Sequence, residues 1–93
     1  MSKWTLMSNH GLVLIYLTKH PQSTAREIAS AIQITEWTVR KIIADLEAAG
    51  YIERTKVGRR NVHRVNPYHR MRHETISDVK VGDLLQVMGW RHP

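Results

Sequence analysis

Between Thr24 and Gly50 the chain writes two short helices with three residues between them: TAREIASAI, then QIT, then EWTVRKIIADLEAAG. Thr24 followed by Glu27 is a reciprocal helix start. The hydroxyl takes a free amide of the first turn, and the glutamate reaches back to the cap's own amide. Behind it Ile28, Ala29 and Ile32 form a short apolar stripe. Thr35 caps the second helix, in which Val39, Ile42, Ile43 and Leu46 recur at i, i+3, i+4 and i+7, and Gly50 supplies a left-handed end. The linker is polar, apolar, polar, with Ile34 free to pack inward. The rest of the chain has to be arranged around this tightly joined pair.

Ahead of the pair, Asn9 is the expected cap of a helix through His20, with Leu12, Val13, Ile15, Tyr16 and Leu17 as its apolar face and Pro21 as its stop. Behind it, YIERTKV and NVHRV read as two strands of one hairpin around Gly58. Asn66-Pro67 breaks the second strand, and the tail stays polar until Val79 to Met88, where a final short helix is expected. At 93 residues the chain fits one core. The expected architecture is mainly α with a small β-hairpin: an arm over 1–8, a three-helix unit with its hairpin over 9–67, and an extension over 68–93 carrying a helix at 79–88.

Charge narrows the function. Tyr51 to Arg72 holds seven basic side chains against one acid, which accounts for the whole formal charge of +6. Such a segment favours a polyanionic partner. There is no cysteine, so disulfides and thiolate metal sites are excluded. The longest apolar run, Leu12 to Leu17, is too short to cross a membrane, and the start lacks a signal-peptide pattern, so the expectation is a cytoplasmic protein with no membrane partner. No nucleophile elbow, phosphate-cradling glycine loop or HExxH pair is present, and the chain reads as a non-enzyme without a cofactor. His69 and His73 would share a helix face with Glu74 beside them, but YHRMRHE carries no helical stripe, and no metal site is expected. His63, between the strand valines, faces either the core or a ligand, and reads as a neutral structural side chain.

Two helices, a tight turn and a hairpin make a helix-turn-helix with a wing. An α-helix fits the major groove of B-form DNA, where each base pair shows its own donor and acceptor pattern. The helix over 36–49 would enter it with its first two turns. The order of elements, and TAREIASAIQITEWTVRKIIADLEAAGYIERTKVGRRNVHRV in particular, resembles the winged helix-turn-helix transcriptional regulators of the MarR-like and ArsR-like type in bacteria and archaea. The resemblance runs from about Asn9 to Pro67. It implies that Thr35, Trp37, Thr38, Arg40 and Lys41 face the major groove. It implies too that the wing over 57–61 brings Arg59 and Arg60 to the minor groove or phosphates, with Lys56, Asn61 and Arg64 flanking them. Long, permanently charged arginines suit that place. The chain lacks the cysteines that ArsR-type sensors often carry and the long terminal helices on which MarR-type proteins usually dimerise.

Trp37 either touches DNA or packs inside, and both readings stay open. Glu36 reads as a helix-start residue favoured by the positive helix end, or else as an acceptor for a cytosine amino group. Because one winged helix covers one half-site, a homodimer through the apolar residues of the two ends is expected, with Trp4, Leu84, Leu85 and Met88 as its contacts. The alternative to DNA binding is a protein-docking module with Trp37 as its anchor. RNA is a third reading, weakened by the absence of an aromatic stacking platform.

Overall fold

The computed structural model describes residues 4–91. Three helices come first: α1 (Asn9–Lys19), α2 (Ala25–Ile32) and α3 (Glu36–Ala48). An antiparallel hairpin of β1 (Ile52–Val57) and β2 (Arg60–Val65) follows, then a 3-10 turn (Glu74–Ile76) and α4 (Val81–Val87). Among the described residues no helix is long and apolar enough to cross a membrane.

Local chemistry explains the boundaries. Ser8, not Asn9, caps α1: its hydroxyl accepts the Gly11 amide at 3.2 Å, and Asn9 becomes the first helical residue. Both halves of the Thr24–Glu27 capping box form, at 3.1 and 3.0 Å. The turn after α2 is made by Gln33 in the left-handed region at φ 67°. The amides of Gln33 and Ile34 both donate to the Ala29 carbonyl, and this folds Ile34 back onto the core. Thr35 starts α3 by accepting the Thr38 amide at 3.1 Å, and Gly50, at φ 86°, lies just beyond its end.

The core is drawn from all four helices and the root of the hairpin. Val13 and Leu17 of α1, Ile28 of α2, and Val39, Ile42 and Leu46 of α3 meet Tyr51 and Ile52 at the root of the hairpin, all nearly inaccessible to water. In the hairpin Ile52 pairs with Val65 and Val57 with Arg60, which leaves a two-residue turn of Gly58 and Arg59. Gly58 has φ 62°, as the first central residue of a type II′ turn requires. A Cβ there would meet nothing, so backbone conformation alone favours glycine.

The segment after the wing differs from its sequence reading. Instead of a polar tail leading to a helix at 79–88, the chain doubles back as a strap. Met71 donates its amide to the Val79 carbonyl, Arg70 and Lys80 form an isolated bridge, and the amides of Val81 and Gly82 donate to the carbonyls of His69 and Pro67 at 2.8 and 3.0 Å. The helix therefore starts at Val81. Gly82, which weakens the pattern in sequence, is what lets α4 dock: a Cβ there would lie 2.7 Å from both Cβ and O of Pro67. No helix spans His69 to His73, so these two residues share no helix face. His69 packs edge-on against Tyr51, and His73 caps the 3-10 turn by accepting the Thr75 amide.

Docking carries Val81 and Leu85 to zero exposure. Leu85, expected as a dimer contact, is thus consumed by the protomer's own core. Burying an aliphatic side chain of this size stabilises a fold by roughly 1.5–3 kcal/mol, so the strap is a structural member of the domain. Leu85→Ala is expected to lower the unfolding free energy by about 2–5 kcal/mol. Urea titration should give the same loss at low and high protein concentration, since the contact lies within one chain.

Candidate nucleic-acid interface

At 3.6 residues per turn, Val39, Ile42 and Leu46 occupy the buried side of α3, and Trp37, Arg40, Lys41, Ala44 and Ala48 fall within an arc of roughly 100° on the opposite side. All five are exposed, Trp37 to 71%. Trp37 is therefore outside the core, which settles half of the ambiguity left by the sequence. The arc combines one large aromatic and two cations near the start of the helix with two alanines further along, small enough to let another surface approach the backbone.

Thr35 and Thr38 fall elsewhere. Their hydroxyls bond each other at 2.7 Å while Thr35 also holds the Thr38 amide. Both side chains thus secure the start of α3, and neither belongs to its exposed arc. Arg40 is held as well: its Nε and Nη2 donate to a single oxygen of Glu36, at 3.2 and 2.7 Å, one helical turn back. An exposed i,i+4 pair contributes only about 0.3–0.5 kcal/mol, so its main effect is orientation. It fixes the plane of a guanidinium that keeps further N–H donors uncommitted to that carboxylate.

Between the exposed flank of α3, the start of α2 and the hairpin runs an open groove of about 920 Å³. Arg40, Arg54, Arg59, Arg60 and Asn61 line it, with Glu27 and Glu47 as its acids. The structure thus brings Arg59, Arg60 and Asn61 of the wing to the same groove as Arg40, across from α2. Lys56 and Arg64 are exposed but line no part of it. Arg64 sits opposite Glu53 in the ladder, on the outer face of the hairpin. Arg54 was missed in sequence, although the signal was there: it has the same parity along β1 as buried Ile52, so both point inward. Its Nε lies 4.0 Å from a Glu47 carboxylate oxygen.

Hydrogen bonds from Thr24, and then the charge of Arg60, hold the Glu27 carboxyl below its usual range. On the far flank of α3, Asp45 is held low chiefly by its hydrogen bond with His10 at 2.9 Å. The His63 amide donates to the Pro21 carbonyl at 3.0 Å, tying the wing to the loop before α2.

The MarR family model matches residues 5–60 of the chain, more than half of its length. The match covers α1 to α3 and β1 and stops as β2 begins, so the rest of β2, the strap and α4 lie beyond it. No curated protein matches the chain.

His63 lies at the base of the groove, 8% exposed, with its Nδ1 lacking a hydrogen-bond partner. Burial pushes its pKa below the ordinary 6.5; Glu47 pulls the other way and Arg54 reinforces the drop. A histidine that stays neutral when folded but protonates when unfolded makes the unfolded chain bind more protons below pH 6.5. Stability is expected to be flat above pH 6.5 and to fall on acidification through that value, with a slope of at most about 1.4 kcal/mol per pH unit from this residue. The contributions of Glu27 and Asp45 have the opposite origin, being present above their ordinary values of 4.5 and 3.8 and lost only in stronger acid. Thermal melts of His63→Leu should show the limb just below pH 6.5 flattened and the acid limb intact.

Proposed function

The chain belongs to the MarR family of DNA-binding transcriptional regulators, and from that premise we propose that it reads double-stranded DNA sequence-specifically, as a homodimer in the cytoplasm. It acts as a regulator, with no catalytic step of its own. The carrying observation is the exposed arc of α3, where Trp37, Arg40 and Lys41 stand opposite the buried Val39, Ile42 and Leu46. In this reading α3 enters the major groove and presents these three side chains to base edges. Arg40 reads guanine, since a guanidinium matches the paired O6 and N7 acceptors. Ala44 and Ala48 keep the rest of the face low.

Arg59 and Arg60 at the wing, with Asn61 beside them, take phosphates or the adjacent minor groove. Lys56 and Arg64 add to the positive field from the flanks. Thr35 and Thr38 serve by fixing the start of the helix. Leu84, half-buried on α4, Met88 just beyond its end and exposed Trp4 are the dimer contacts among the expected set, with Leu85 supporting them from beneath.

If each protomer neutralises about three phosphates, affinity should fall roughly a thousandfold between 50 and 200 mM salt. Fluorescence anisotropy on duplexes of varied sequence separates the two kinds of contact. Arg40→Ala should cost about 1–3 kcal/mol on the preferred duplex and little on a scrambled one. Arg59→Ala with Arg60→Ala should weaken all duplexes alike and flatten the salt slope. Binding insensitive to salt would instead favour the protein-docking reading, with Trp37 as the anchor.

A further inference from the structure

Behind α3, on the side away from the wing, lies a second groove of about 430 Å³. Its walls are apolar, built by Leu14 of α1, Leu46 of α3, and Met71, Ile76 and Leu84 of the strap and α4. The His10–Asp45 pair and Arg72 also border it. The strap that makes one of its walls lies beyond the region matched by the family model.

At the edge of this groove is a segment with the opposite problem. Met7 lines the groove, yet the two large apolar residues just before it are in water, Leu6 90% and Trp4 78% exposed. The reason is local. The Thr5 hydroxyl donates to the Met7 carbonyl at 2.5 Å and accepts the Met7 amide at 3.0 Å. This closes a tight turn that admits Met7 to the groove and leaves Leu6 and Trp4 outside. One chain thus holds an apolar cleft open to water and an apolar arm beside it that does not enter.

We propose that Trp4 and Leu6 of one chain occupy this groove in a second copy, whose own arm returns the exchange. The proposal rests on the dimeric reading above and supplies its contact. Because arm and groove adjoin, a single two-fold axis at their shared edge satisfies both at once. The assembly closes at two chains and grows no further. The chemistry matches: the apolar walls suit the indole and isobutyl groups, and the Asp45 carboxylate and Arg72 guanidinium at the border offer an acceptor for the indole N–H and a cation for its ring face. Since Asp45 and Leu46 of α3, with Ala49 just past its end, line the groove, the exchange also sets the spacing of the two α3 helices.

The test exploits a chain without cysteine. Leu6→Cys and Ile76→Cys are placed in separate chains, one carrying a mass tag, at positions 90% and 42% exposed, where the fold tolerates the change. After mixing and oxidation, a disulfide between chains of different mass is expected on a non-reducing gel. Sedimentation should show a wild-type dimer, and Trp4→Ala should weaken it about a hundredfold, because each substitution acts at two symmetric contacts. A dimer that ignores Trp4→Ala and gives no mixed disulfide would overturn the exchange and leave the dimeric reading standing. A wild-type monomer at micromolar concentration would overturn both. A Leu6→Cys, Ile76→Cys double variant that closes only within its own chain would show that the arm fills its own groove, which also sinks the proposal.

Discussion

Val39, Ile42 and Leu46 hold α3 by one side, and the geometry of the whole domain follows from keeping the other side in water. A stripe this narrow anchors a helix only if its neighbours meet it closely. α1 and α2 do so with Val13, Leu17 and Ile28, and the three-residue turn through Gln33 fixes α2 against α3. Few core residues are available in so short a chain, so each counts for a large share of a net stability of only several kcal/mol. That is why the segment after the wing folds back. Without Val81 and Leu85 the lower part of the core would face solvent.

The wing and the strap are held by different means. The wing rests on Ile52 and buried His63 at its root and is tied to the helices by the His63–Pro21 backbone bond; its tip is exposed. Positional control is therefore strongest at the base of the hairpin and weakest at Arg59. The strap is held by backbone hydrogen bonds at Pro67, His69 and Met71, and by a contact at Gly82 that leaves no space for a side chain.

The helix pair, its caps and the hairpin were legible because each is specified locally: a hydroxyl three residues ahead of a glutamate, apolar residues at helical spacing, a glycine at a bend. What could not be read was set at a distance. Gly82 looks like a helix weakener until Pro67 is placed against it, and Leu85 looks like a surface contact until α4 is docked. At the candidate interface, residue type pointed to the start of α3 and to the wing. The partners of each side chain were hidden: Thr35 and Thr38 bond each other, and Arg64 turns away from the groove because strand parity sets it on the face opposite buried His63. Arg54 shows the converse, since parity with Ile52 turns an exposed charge to the groove side of the hairpin. Trp37 was undecidable from sequence, because an aromatic at its helix position suits a core edge as well as an exposed arc.

Arg40 is not an empty hand. In the free protein its guanidinium already has an anion, the carboxylate of Glu36. Any oxygen that recruits it from DNA must do better than one already in place, and a lone phosphate offers little that the carboxylate does not. A base edge with two acceptors offers a second bond. On the proposed reading, recognition by Arg40 is an exchange between two occupied states, with the weakly bound Glu36 holding the guanidinium in place until a base edge takes it over.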